Sequence, residues 1–172
     1  MKITFKSLAN DHFPLLLKWF NTLHVKAWWD PDIEWTIEKV QEKYQSYISK
    51  YKLENGVAKE IYSFIIELDY NPIGYIQMYN AYDFVRSTTL TGLPKSLAAI
   101  DFFIGEKEVL RKGMGTKALE KFINQFCFNK FEFVFVDPDL LNIAAIRTYE
   151  KCGFKAVRED LDHRTLLMLK KL

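Results

Sequence analysis

After Thr36, apolar residues recur at three- and four-residue intervals: Ile37, Val40, Tyr44, Tyr47, Ile48 and Tyr51. That spacing puts them on one face of a turn of 3.6 residues, so the segment predicts an amphipathic helix. Upstream, "ITF" (3–5) predicts a short strand, and Asn10 is placed to cap a helix over "DHFPLLLKWFN", with its proline tolerated in the first turn. "HVKAWWDPD" predicts a loop from its Asp-Pro pair. Two strand-like runs, "IYSFIIEL" (61–68) and "IGYIQMYNA" (73–81), flank the turn-forming "DYNP" and predict a hairpin. Residues 82–97 are polar and predict a loop, followed by a strand at "LAAIDFFIG" (97–105). A second helix then aligns Met114, Ala118, Leu119, Phe122, Ile123 and Phe126 on one face. "FEFVFV" (131–136) is nearly continuous in apolar residues, as a strand covered on both faces would be. Asn142 and Gly153 are placed to cap the start and end of a third helix, and "FKAV" and "RTLLML" close the chain as strands. The order β-α-α-β-β-β-α-β-α-β-β implies helices packed on a mixed sheet.

Composition narrows the class. The 172 residues are 49% hydrophobic and 27% charged, the make-up of a folded chain, and no repeat or linker divides 1–172 into more than a single domain. A formal charge of +2 with scattered Lys and Arg gives no basic stripe, so no nucleic-acid partner is expected. Cys127 and Cys152 lie apart, with no CxxC spacing, so neither a disulfide framework nor a metal site is expected. No stretch is long and apolar enough for a membrane span, and the expected setting is cytoplasmic.

Chemistry enters at "VLRKGMGTKAL" (109–119), where Gly113 and Gly115 sit as a helix begins. A strand, a glycine turn and a helix start gather unpaired backbone N–H groups at the positive end of a helix dipole, which is a phosphate site. Arg111 and Lys112 add charge at the same mouth. The pattern is neither a dinucleotide fingerprint, because the third glycine position is Ala118, nor a P-loop, because GK[ST] is missing. Taken alone it is more often the pattern of a surface turn with a frayed helix start.

In context, "AIDFFIG", "LRKGMGTKAL" and "VDPDLLNIAAIRTYEKCGF" resemble the GNAT superfamily of acetyl-CoA-dependent N-acetyltransferases. With "KAWWD" and "PIGYIQMY", they are most similar to its aminoglycoside 6′-N-acetyltransferase branch. Leu110 departs from the Gln or Arg common three positions before the first glycine. The resemblance implies an α+β (α/β mixed) fold, a splayed and mostly antiparallel mixed sheet in a three-layer α/β/α arrangement. Acetyl-CoA would lie in the V between the "AIDFFIG" and "FEFVFV" strands. Its pyrophosphate would rest on the amides of Arg111, Lys112, Gly113, Met114, Gly115 and Thr116.

By the same resemblance Asp101 would be the general base or amine anchor, and Tyr149 would donate a proton to the departing thiolate. Their own sequence settings also allow an outward-facing strand residue and a core tyrosine. The amides of Phe102, Phe103 and Ile104 would polarise the thioester carbonyl and grip the pantetheine arm. Asn142, first of all a helix cap, would also touch the cofactor. Asp137 and Asp162 would hold a cationic acceptor in a cleft lined by Trp28 and Trp29, with Gln77 and Tyr79 on one strand face. The segment between "GYIQMY" and "AIDFF" carries one acid, Asp83, against Arg86 and Lys95, where relatives are acid-rich. The implied reaction is acetyl transfer from acetyl-CoA to a small-molecule primary amine, with an aminoglycoside first. A siderophore precursor, a polyamine or a non-catalytic CoA-binding module are the alternatives, in a monomer or homodimer.

Overall fold

The computed structural model describes residues 1–172. The chain begins with β1 (Ile3–Ser7), a 3-10 turn (Asn10–His12), α1 (Phe13–Phe20), α2 (Leu23–Lys26) and α3 (Ile37–Ile48). It continues through β2 (Tyr51–Glu54), β3 (Val57–Glu60), β4 (Tyr62–Leu68), β5 (Asn71–Asn80) and β6 (Leu97–Ile104). Then come α4 (Met114–Phe122), β7 (Phe133–Val136), α5 (Ile143–Lys151), β8 (Lys155–Asp160) and β9 (Thr165–Lys171). Seven strands form one sheet in the order β1-β4-β5-β6-β7-β9-β8, and β2 and β3 pair separately. Only β6 and β7 run parallel; every other pair in the sheet is antiparallel. The architecture is the layered mixed sheet that the resemblance implied.

Strand alternation builds two cores. Ile61, Ile65 and Tyr75 face α1 and α3, where they join Leu16, Trp19, Phe20, Val40 and Tyr44. Phe64, Ile66, Ile76, Met78 and Ile100 face the other way, toward Met114, Ala118, Leu119 and Phe122 of α4 and Tyr149 of α5. β7 divides its side chains between faces, with Val134 and Val136 in the α4 core and Phe135 in a small cluster beneath the 82–96 segment.

Three local expectations are corrected. Asn10 does not cap α1: it lies inside the 3-10 turn, whose own cap position is Ala9 with its N–H donating to His12 Nδ1 at 3.0 Å, and His12 holds the cap position of α1. Tyr51 does not extend α3, because Lys50 turns the backbone left-handed at φ +61° and Tyr51 opens β2. The loop expected at "HVKAWWDPD" contains the short helix α2. The β2–β3 hairpin was not anticipated either. Its turn is Asn55-Gly56, at φ +50° and +78°, the residue pair most suited to that geometry.

The feature that matters most is where the sheet stops pairing. β6 and β7 match only at Leu97–Phe133, Ala98–Val134 and Ala99–Phe135. Beyond that, Pro138 has no N–H to give β6, and its carbonyl instead accepts from Leu166 N–H at 2.9 Å, which holds the segment against β9. From Ile100 onward β6 follows β5 and the sheet splays.

Candidate active site

The hydrogen-bond phase of β6 decides which groups face the splay. Ala81 N–H donates to Leu97 O and Gly105 N–H to Ile73 O, so the odd-numbered residues of β6 bond β5. The backbone groups of Ile100, Phe102 and Ile104 therefore point into the gap. Phe103 is corrected on this point: its N–H faces Tyr75, and only Phe102 and Ile104 present amides to a ligand. At the far end His24 Nε2 donates to Ile104 O at 2.9 Å, which fixes its proton on that nitrogen.

The gap widens into a cleft of about 690 Å³ between β6, the turn before α4 and the start of α5. In that turn Arg111 has φ +60° and Gly113 φ +75°, two left-handed residues that fold the backbone back on itself before the helix. Lys117 N–H bonds Gly113 O, while the first-turn amides of Met114, Gly115 and Thr116 have no partner within the helix. Gly115 is telling, because a Cβ there would sit an ordinary 3.7 Å from Ile104 Cγ1 and Phe102 Cε2. Packing within the chain does not require this glycine; its bareness keeps open the space beside the free amides. Arg111 lines the cleft, whereas the Lys112 side chain is exposed and does not. Arg147 and Lys151 of α5, which sequence reasoning missed, line it too, one helical turn apart. The amides and cations together suit the phosphates of a nucleotide-bearing donor.

Asp101 stands where the splay begins. Its Oδ2 accepts from Gln77 Nε2 at 2.8 Å and from Tyr79 OH at 3.0 Å, which leaves Oδ1 free for the cleft that the residue lines. Behind it, Tyr75 OH donates to Gln77 Oε1 at 2.7 Å, and Ser63 Oγ lies 2.8 Å from the same hydroxyl. This buried chain holds the Gln77 amide with its NH₂ toward the carboxylate. Tyr149 reaches the gap from the opposite face, its ring edge-on to Phe102 with centroids 5.9 Å apart. Burial holds its phenol well above the usual value, so it remains protonated.

The Asn142 side chain accepts from Ala145 N–H at 3.2 Å, capping α5 as expected, and also lines the cleft. Trp28 is exposed at the mouth, while Trp29 lies deeper, its Nε1 donating to Tyr44 OH at 3.2 Å and its ring 4.9 Å from that of Phe103.

A smaller pocket of about 280 Å³ adjoins the cleft, lined by Tyr47, Lys52, Gln77, Tyr79, Ser87 and, shared with the cleft, Asp137. Arg86 also lines it, donating to Asp137 Oδ2 at 3.1 Å and to Tyr79 OH at 2.7 Å. Burial pushes the Asp137 carboxyl up to about 6, against the pull of Arg86. Two suggested acids are not brought here. Asp83 pairs with Lys59 at 3.6 Å, Asp162 is exposed in the turn between β8 and β9, and neither lines either cavity.

The sequence model of the acetyltransferase (GNAT) domain matches residues 9–160. Aminoglycoside N(6')-acetyltransferase type 1 from Klebsiella pneumoniae is 29% identical over 157 residues, 89% of this chain and 74% of its own. The enzyme of the same name from Serratia marcescens matches to the same extent. Among solved structures, AAC(6')-Ib in complex with ribostamycin and coenzyme A superposes with a TM-score of 0.84 at 25% identity, covering 99% of this chain and 94% of that one. AAC(6')-Ib with coenzyme A and kanamycin gives 0.82 at the same identity, covering 99% and 95%.

Proposed function

This chain belongs to the GNAT acetyltransferase family, and from that premise we propose that it acetylates a primary amine of an aminoglycoside, the 6′-amine first. That it is an acetyl-CoA-dependent N-acetyltransferase follows from the family. The observation that carries the acceptor side is Asp101, a carboxylate with one oxygen held by Gln77 and Tyr79 and the other free at the cleft.

Acetyl-CoA supplies the acyl group as a thioester; the C–N bond forms as the C–S bond breaks, giving an acetamide and free thiol. The chain's task is to place and move protons. An alkylamine with a reference pKa of about 10.4 arrives protonated, so it must lose one proton before attack and another after it. Asp101 binds the ammonium, whose first proton passes to bulk water in the open cleft, and its Oδ1 then accepts the one released as the amide forms. The amides of Phe102 and Ile104 face the gap and stabilise charge on the carbonyl oxygen. Tyr149, kept neutral by burial, gives its proton to the sulfur as it leaves. Gly113 to Thr116, with Arg111, Arg147 and Lys151, hold the phosphates. The need for acetyl-CoA puts the reaction in the cytoplasm.

Thiol release with kanamycin-type acceptors tests the reading. Asp101→Asn preserves the shape and the Tyr79 contact but accepts no proton; turnover is expected to fall roughly 10²–10⁴-fold while acetyl-CoA still binds in calorimetry. Full turnover in that variant would remove Asp101 from the mechanism.

A further inference from the structure

The acceptor pocket contains a cation of its own. Arg86 comes from the 82–96 segment and its side chain is only 12% exposed. Its guanidinium carbon lies 5.4 Å from the centre of the Tyr79 ring and 5.0 Å from that of Phe135. Between those rings it takes up acceptors that a bound cation would use, one nitrogen donating to Asp137 at 3.1 Å and another to the Tyr79 hydroxyl at 2.7 Å. An acceptor ammonium seeking Asp137 would meet a carboxylate already paired.

The segment is latched in that position. Val85 N–H donates to Glu54 Oε1 at 3.1 Å, Lys59 pairs with Asp83 at 3.6 Å, and the Lys52 ammonium sits 4.9 Å over the Phe84 ring, all from the β2–β3 hairpin. On the other side Arg158 donates to Thr89 O at 2.5 Å. Of the carboxylates the sequence suggested for a cationic acceptor, Asp83 and Asp137 are therefore neutralised within the chain and Asp162 faces solvent. Asp101 is the one carboxylate among them that lines the cleft without a cationic partner, since its contacts are the neutral Gln77 and Tyr79. The rest of the lining mixes Tyr47, Gln77 and Ser87, groups that suit hydroxyls, with the cationic Lys52 and the apolar Ile61, Phe84 and Val85.

We propose that Arg86 is a specificity-determining residue: by pairing with Asp137 inside the acceptor pocket, it restricts the site to amines that carry one ammonium to Asp101 and hydroxyl-bearing groups elsewhere. The proposal rests on the acceptor reading above and selects, within amino sugars, those with the fewest further ammonium groups. A second ammonium in this pocket meets Arg86 and Lys52 without a free counter-charge, a repulsion that a partly desolvated site amplifies.

The test uses amino sugars that share one aminomethyl group and carry none, one or three further amines. Thiol release gives kcat and KM for each, and calorimetry gives binding, for the intact chain, Arg86→Gln, Arg86→Lys and Arg86→Met. In the intact chain kcat/KM is expected to fall with each added amine. Arg86→Gln leaves Asp137 without its partner, and the kcat/KM ratio of the most to the least cationic acceptor is expected to rise about tenfold or more, chiefly through KM. Arg86→Lys retains the original order. If Arg86→Gln lowers the melting point, Arg86→Met keeps an apolar stem between the two rings and gives the same readout. The proposal is overturned if the variants shift all acceptors by one factor, or if the intact chain favours the most cationic sugar. Should no sugar be acetylated although acetyl-CoA binds, the acceptor reading itself is lost. The same calorimetric series then still judges Arg86: without a charge-dependent gain in the variants, its role falls as well.

Discussion

Gly115 is retained against the helix's own interest. Glycine inside a helix costs roughly 1 kcal/mol relative to alanine, and a Cβ here would meet nothing closer than 3.7 Å. Gly115→Ala is therefore expected to raise stability by about 0.5–1 kcal/mol in denaturant titration while weakening acetyl-CoA binding in calorimetry. A variant that is stabilised and binds equally well would mean the space beside the amides serves no ligand. At this scale much of the site was legible. Asp101 was visible as a lone charge in an apolar run, Asn142 as a cap and the two glycines as a break before a helix. Arg86 was legible only as a positive charge in a segment where relatives are acidic, because its partners Tyr79 and Asp137 meet it only after folding. The same holds for His24, and the facing of the Phe103 amide depends on strand phase, which no residue type records.

Between elements, a tight seat lies at the end of β6. A Cβ on Gly105 would fall 2.3 Å from Trp19 Cγ, and that indole is fully buried with its N–H on Glu106 at 2.8 Å. Neither ring nor strand can give way, so Gly105→Ala is expected to cost about 1–3 kcal/mol or more, read as a lowered midpoint with α1 loosened from the sheet. Hydrogen exchange would localise the damage to α1; protection there equal to that of the unmodified chain would contradict this account. Long periodic elements such as α3, α4 and β4–β5 were readable because each buries one continuous face. The β2–β3 hairpin was hidden, although Asn55-Gly56 is a strong turn signal, because Tyr51 prolongs the apolar period of α3 into the strand. The splay was implied by the family resemblance alone, since Pro138 announces a turn but not which neighbouring strand the chain will abandon.

For the whole molecule, stability should sense pH through His12. The ring is buried, its Nδ1 accepts from Ala9 N–H, and burial holds its pKa below the ordinary value of 6.5. The unfolded chain takes up this proton first, so the contribution is complete above pH 6.5 and declines as pH falls toward the lower folded value. Melting between pH 7.5 and 5.5 is expected to drop less in His12→Asn, which can still accept the Ala9 N–H, than in the unmodified chain; equal slopes would exclude His12 as the source. A strand edge laid bare in the middle of a sheet has a broader consequence. Such edges ordinarily invite other chains to add themselves and precipitate. Here the exposed rung of β6 lies at the bottom of a trench walled by α4 and α5 on one side and by Trp28 and Trp29 on the other. Only a slender, flexible guest can thread down to it, so the molecule keeps a sticky seam for its ligand without becoming sticky to its neighbours.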